Sequence, residues 1–284
     1  MRTEKNIHTF IGCDNEYNES KIVIFGAPFD STTSYRPGTR FASSAMRNES
    51  FGIETYSPYQ DKDLEDIEVF DGGDLELCFG SPESALCDIE SCAAQILNDQ
   101  KIPLMIGGEH LVTLGAVRAA YKKYPDLHII HFDAHTDLRD DYLGQKLSHA
   151  CVMRRCHDLI GDGKIFQFGI RSGDREEFYW GKNHVTTNKF DFSGIENLYE
   201  IIGNSPVYFT LDLDVLDPSC FPGTGTPEAG GVGFVELLNA VKTVSGLNIV
   251  GLDINELSPM LDSSGASTAL ACKLLREILL YIYK

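Results

Sequence analysis

The chain has 284 residues, of which 43% are hydrophobic, 23% charged and 10% aromatic, proportions of a globular protein that exclude a disordered, collagenous or coiled-coil chain. Its 42 Asp and Glu against 24 Lys and Arg leave a formal net charge of -18, which disfavours nucleic acid and anionic membrane surfaces as partners and favours a cationic small molecule. No run reaches the roughly 20 apolar residues of a membrane span, and the opening MRTEKNIHTF lacks the apolar stretch of a signal peptide, so cytoplasmic residence is expected.

Seven short apolar runs follow one another along the chain, at 21–28, 67–73, 101–108, 127–135, 164–170, 207–214 and 248–255. Apolar residues at nearly every position predict strands buried on both faces. Helical patterns separate most of them, at about 82–98, 110–123, 149–158, 173–181, 233–245 and 264–283. The first of these helices opens on Ser81 and Pro82, a capping residue followed by a residue suited to the first helical position. Such alternation predicts an α/β protein with a mostly parallel sheet covered by helices on both faces. No repeat, low-complexity tract or linker divides it, so residues 1–284 are expected to form one domain. The stretches 48–65 and 181–198 are the least regular and are expected at its periphery. Eight cysteines with no C-x-x-C pair are expected to be reduced thiols.

In parallel α/β sheets ligands bind beyond the carboxyl ends of the strands, and four of the predicted strands end in potential metal ligands. The third runs into Glu109-His110, the fourth into Asp133-Ala134-His135-Thr136-Asp137, the sixth into Asp212-Leu213-Asp214 and the seventh into Asp253-Ile254-Asn255-Glu256. Extended chain has a period of two, so Asp133, His135 and Asp137 point one way, as do Asp212 and Asp214. Four carboxylates in one partly buried pocket repel one another unless cations compensate, and two divalent ions balance them. Oxygen-rich ligation with two imidazoles, His110 and His135, and no thiolate favours Mn(II). Two such ions can hold and activate a shared water. The other histidines offer no such spacing; His131 is expected to be a satisfied core histidine and Trp180 a packing residue.

The segments GGEH (107–110), DAHTD (133–137), FTLDLDVLDPSCFPGTGTPEAGG (209–231) and DINELSP (253–259), with GAPFDSTTSYRPGTRFASSAMR (26–47) upstream, together resemble the ureohydrolases, the family of arginases and agmatinases. The resemblance implies a three-layer α/β/α fold, two Mn(II) ions per chain, and hydrolysis of a guanidinium group to urea and an amine. It implies one ion held by His110, Asp133, Asp137 and Asp212 and the other by Asp133, His135, Asp212 and Asp214, with Asp133 and Asp212 bridging. Glu256 can clamp the guanidinium, because a carboxylate accepts parallel hydrogen bonds from two guanidinium nitrogens, and the resemblance assigns it that role. It also implies that Asp137 carries the proton to the leaving nitrogen, that His149 relays protons, a task for a group titrating near neutrality, and that Thr226 lines the substrate channel. Relatives form trimers or hexamers, so a homo-oligomer is expected.

The loop after the acidic comb, Leu138 to Ser148, lacks the Asn/Thr/Ser/Gly-rich pattern with which arginases recognise an α-carboxylate and α-amine. This loop and Glu228 resemble bacterial agmatinases. Agmatine is a cationic guanidino compound with a second cation at its far end, which Asp140, Asp141 or Glu228 could attract. Arg139 in the same loop keeps guanidinobutyrate and arginine as alternatives, because it could meet a substrate carboxylate. A single-metal, deacetylase-like amide hydrolase is a more remote alternative, in which His110 and Asp137 would be superfluous. Cys151, where relatives more often carry Ser or Thr, is a candidate for oxidant sensitivity.

Overall fold

A computed structural model describes residues 8–78 and 80–284; the expectation about the opening segment therefore falls mainly outside the described residues. The described residues form ten strands: β1 (Ile22–Gly26), β2 (Tyr56–Ser57), β3 (Lys62–Asp63), β4 (Val69–Asp74), β5 (Ile102–Ile106), β6 (His128–Phe132), β7 (Ile165–Ile170), β8 (Thr186–Lys189), β9 (Val207–Asp212) and β10 (Ile249–Asn255). The helices are α1 (Ala42–Glu49), α2 (Pro82–Asn98), α3 (Thr113–Lys123), α4 (Val152–Ile160), α5 (Arg175–His184), α6 (Leu198–Ile202), α7 (Phe234–Val244) and α8 (Ala266–Ile282). Eight strands form one sheet in the order β4-β1-β5-β10-β9-β6-β7-β8, and each of its pairings is parallel. All seven predicted strands are there.

The alternation of side chains along each strand separates the interior into two layers. In β1, Ile22 and Ile24 pack with α1, α7 and α8, whereas Val23 and Phe25 face α2 and α3. In β9, Val207, Phe209 and Leu211 join the first layer and Tyr208 the second. Both faces are thus covered, which explains why the runs are apolar nearly throughout. Each fully buried Val, Leu, Ile or Phe contributes about 1.5–3 kcal/mol.

Helix α2 begins as its sequence predicts, with Ser81 accepting a hydrogen bond from the Ser84 N–H and Pro82 in the first position. Two expected helices start with a tight 3-10 turn, His110–Val112 before α3 and His149–Cys151 before α4. The stretch 48–65 contains the small antiparallel pair β2-β3. The stretch 181–198 supplies an eighth strand at the sheet edge, β8, whose sequence TTNK is polar and exposed at each end. An edge strand covered on one side only has no need of a continuous apolar run. Among the described residues no disulfide joins the cysteines. Cys151 is fully buried, and burial, then the charge of Asp137, push its thiol up to about 12, an inert rather than an oxidant-sensitive setting.

Candidate metal centre and active site

The carboxyl ends of five adjacent strands meet at one cavity of about 270 Å³, lined among others by His110 after β5, Glu256 after β10, Asp212 and Asp214 at β9, His135 and Asp137 after β6, and Ser172 and Asp174 after β7. The Gly107-Gly108 pair lets β5 turn into this site, since a Cβ on Gly108 would collide with the backbone of Phe29. Two cavity carboxylates sit on left-handed backbone, Asp137 at φ 54° and Glu256 at φ 65°. That conformation costs about 1–3 kcal/mol and is retained where the surroundings enforce it.

His110 shows what the cluster is built to hold. Its Nε2 lies 2.9 Å from Thr210 Oγ1, and that hydroxyl donates to Asp253 Oδ1 at 2.6 Å. The hydroxyl oxygen therefore accepts from His110, which places the imidazole proton on Nε2. The bare Nδ1 then faces Asp133 Oδ2 at 3.0 Å, Asp137 Oδ2 at 3.1 Å and Asp212 Oδ2 at 3.3 Å, yet this buried atom makes no well-directed hydrogen bond. A lone pair facing three carboxylates is stable only around a cation. Asp253, a candidate ligand by position, stands in a layer behind the site: Tyr208 donates to its Oδ2 at 2.7 Å and Asn255 to its Oδ1 at 2.7 Å.

A second group lies on the other side of Asp133. His135 Nδ1 is 2.9 Å from Asp214 Oδ2 and 3.4 Å from Asp133 Oδ1. Asp133 thus turns one oxygen to each group. Its orientation is fixed by the His135 N–H, which donates to Oδ1 at 2.5 Å, and by His131 Nε2, 2.8 Å from Oδ2. Gln167 Nε2 donates to the Thr136 carbonyl at 2.7 Å and lies 3.0 Å from His131 Nδ1. The carbonyl identifies that atom as the amide nitrogen, so His131 accepts at Nδ1 and donates to Asp133 from Nε2. His131 is the satisfied core histidine expected, with an orienting task added. Thr187 of β8 donates to Gln167 Oε1 at 2.9 Å and completes the chain.

Among the described residues no Lys or Arg pairs with Asp133, Asp137, Asp212 or Asp214. Burial, reinforced by the Asp133 charge, pushes Asp137 up to about 7. Burial and the charges of Asp214 and Asp133 raise Asp212 well above the usual carboxylate range. Burial opposes the charged form of His110, but Asp133, Asp137 and Asp212 outweigh it and raise the imidazole. Protons are held here where positive charge is missing. The donor set, two imidazoles and four carboxylates in two groups sharing Asp133, fits divalent cations.

Glu256 is 6% exposed and accepts the His110 N–H at 2.7 Å, which ties the positions of the two residues together. Burial, then the charge of Glu109, raise its carboxyl well above the usual range. Thr226 lines the cavity with its hydroxyl 3.4 Å from Asp214 Oδ2. His149 also lines it, with Nε2 3.0 Å from Ser34 Oγ. Burial, then His110 and His135, push His149 down to about 4; the imidazole rests neutral rather than poised at neutrality.

Asp140, Asp141 and Glu228 are not among the cavity-lining residues. Asp140 pairs with Arg155 at 2.7 Å, Asp141 accepts the Gly144 N–H, and the Glu228 carbonyl accepts from Arg171. The acidic groups in the outer wall are Asp174 and Glu177, with Arg139 between them, 2.8 Å from Asp174 and 3.5 Å from Glu177. Asp174 and Glu177 form a reciprocal cap on α5. Their D-x-x-E spacing just after a strand is a readable signal for both the helix start and the wall. Glu109, also unassigned in sequence, accepts from the Thr32 N–H at 2.8 Å and from Thr33 Oγ1 at 3.1 Å. It anchors the loop that brings Ser34 to His149.

The chain is similar to several known proteins. The family model described as the Arginase family matches residues 20–281. The agmatinase of Bacillus cereus is 47% identical over 276 residues, covering 95% of each chain. A Clostridium difficile crystal structure, provisionally called an agmatinase, superposes with a TM-score of 0.92 at 52% identity, covering 94% of this chain and 99% of that one. The agmatine ureohydrolase of Thermoplasma volcanium superposes with a TM-score of 0.89 at 37% identity, covering 98% and 95%. On its fold, its cluster of paired acids and imidazoles and these matches, the chain belongs to the arginase family and is a ureohydrolase.

Proposed function

We propose that the chain hydrolyses agmatine to putrescine and urea as a single ureohydrolase domain holding two Mn(II) ions, acting in the cytoplasm as a homo-oligomer. Arginase-family proteins are binuclear metal enzymes, and the two ligand groups that share Asp133 suit that chemistry. When bound, the ions supply positive charge and make a water acidic enough to react at neutral pH. The ligand residues are His110, Asp133, Asp137 and Asp212 for one ion and Asp133, His135, Asp212 and Asp214 for the other.

The substrate's guanidinium meets the carboxylate of Glu256, which orients it by parallel charge-assisted hydrogen bonds. Water adds its oxygen to the guanidinium carbon, the bond from that carbon to the chain nitrogen breaks, and the departing nitrogen takes a proton to leave as an amine. Asp137 delivers that proton. His149, neutral at rest and hydrogen-bonded to Ser34, receives and passes on the proton released by the attacking water. Thr226 holds the wall beside Asp214.

The observation that carries agmatine over a guanidino acid is the outer wall. Its one cation, Arg139, is already paired with Asp174 and Glu177, so a substrate carboxylate finds no free positive partner there, whereas an ammonium finds acid. Asp174 supplies the near attraction; Asp140, Asp141 and Glu228 contribute only to the general field. Urea release from agmatine, arginine and 4-guanidinobutyrate under the same conditions tests this reading. We expect kcat/KM for agmatine to exceed both others by at least tenfold, about 1.4 kcal/mol; a preference for either acid contradicts it.

A further inference from the structure

Outside the active site, a second group of metal-ligating side chains sits between the end of α4 and the end of α5. His157 Nε2 and His184 Nδ1 converge on the same oxygen of Asp162, Oδ1, at 2.7 and 2.6 Å. We propose that His157, Asp162 and His184 form a separate site for one divalent transition ion of the zinc class, clamping α4 to α5.

The site is prepared by the backbone. Asp162 stands between Gly161 and Gly163, both in left-handed conformation at φ 85° and 72°. The Gly161 N–H donates to the carbonyl of His157 at 2.9 Å and the Gly163 N–H to that of His184 at 3.0 Å. The loop is thus pinned at each side to the residue whose ring it meets. Trp180 holds both rings, stacked on His184 at 4.2 Å and edge-on to His157 at 4.7 Å, while the Arg154 guanidinium lies over the indole at 3.8 Å.

Two imidazoles directed at one carboxylate oxygen offer two nitrogens and an oxygen, a set that suits zinc, nickel or copper better than manganese. The three donor atoms lie within 4.8 Å of one another. Ligands on a tetrahedral zinc stand about 3.3 Å apart, so each ring has to withdraw by well under an ångström. His157 Nδ1, which has no hydrogen-bond partner and lies 3.9 Å from Asp158 Oδ1, can take the ring proton when Nε2 becomes a ligand. The Asp162 side chain is 66% exposed, leaving the fourth position to water.

The clamp concerns the active site because the turn before α4 carries His149 and the cap of α5 carries Asp174. A bound ion fixes the far ends of both elements without touching substrate.

Trp180 is the only tryptophan of the chain and reports directly on the site. Manganese-loaded enzyme is titrated with Ni(II), which quenches an adjacent indole, and then with Zn(II) as competitor. We expect saturable quenching at one Ni(II) per chain, reversed by Zn(II), with the midpoint moved at least tenfold in Asp162→Asn and His157→Gln. Asp162→Asn changes only an exposed loop side chain, so it keeps the test open if His157→Gln folds poorly. Quenching that fails to saturate below millimolar Ni(II), or that is the same in wild type and Asp162→Asn, overturns the proposal. Neither result depends on the substrate.

Discussion

Sequence places His110 at the end of its strand, but what turns its Nδ1 toward Asp133, Asp137 and Asp212 lies out of sequence reach. Its tautomer is set by Thr210 on β9, which passes its own proton to Asp253 on β10. Strand spacing announces that Asp133, His135 and Asp137 share a side; it says nothing about which residues of other strands stand behind them. The same limit applies to the His131–Gln167–Thr187 chain behind Asp133. Thr210→Val keeps the shape while leaving His110 Nε2 and Asp253 Oδ1 without this partner. We expect metal affinity to fall 10- to 100-fold, measured by chelator competition, with the fold retained by circular dichroism.

The acids at this scale also dictate a pH dependence for the metal-free protein. Asp137 is pushed up to about 7, chiefly by burial. Burial also raises Asp212 and Glu256, and His110 and His135 are raised because neighbouring carboxylates outweigh the opposing effect of burial. Groups with a raised folded value bind more protons folded than unfolded, so their contribution is lost as pH rises through that value. His149, pushed down to about 4, acts in the opposite sense only below about 6.5. Above about 6.5, the ordinary histidine value, His110 and His135 act in this sense, and Asp137 does so up to about 7. Thermal melts should show the metal-free protein losing stability with rising pH over this range and manganese largely abolishing the slope; a slope of opposite sign contradicts the charge assignment.

Among the elements, strands buried on both faces were the most legible because burial forces continuous apolar runs, as in β9, where all six residues are buried. Strand β8 escaped because its face and edge are half exposed, although it carries Thr187. The acidic loop 138–148 looked like the specificity element from its composition. That loop lends Arg139 and Tyr142 to the cavity wall, but the acids of its outer part, Asp174 and Glu177, come from the segment after β7, Arg171 to Glu177. Arg171 in that segment donates to the carbonyls of Asp214, Val215 and Glu228 at 2.7, 3.1 and 2.8 Å, bracing the loop that carries Asp214. Lysine lacks the planar fork that reaches several carbonyls at once. Arg171→Lys should therefore lower stability by about 1–3 kcal/mol in chemical denaturation and weaken metal binding as well. An unchanged metal affinity would show that the loop holds Asp214 without this brace.

At the scale of the molecule, the formal charge of -18 has two unlike parts. Most of it is spread over the surface, screened beyond about 8 Å at physiological salt, and concentrates cations without selecting one. Asp133, Asp137, Asp212 and Asp214 are different: they are buried at the ends of two neighbouring strands of the central sheet, with two imidazoles and, among the described residues, no pairing Lys or Arg. The parallel sheet is what brings residues from five strands to one edge, and we propose that two divalent ions complete this edge. Metal analysis of the chelated enzyme during manganese reconstitution, read alongside urea release, tests it most directly. The account predicts full activity at two manganese ions per chain and loss of both ions and turnover in Asp133→Ala; full turnover with a single ion, or an active Asp133→Ala enzyme, would contradict it.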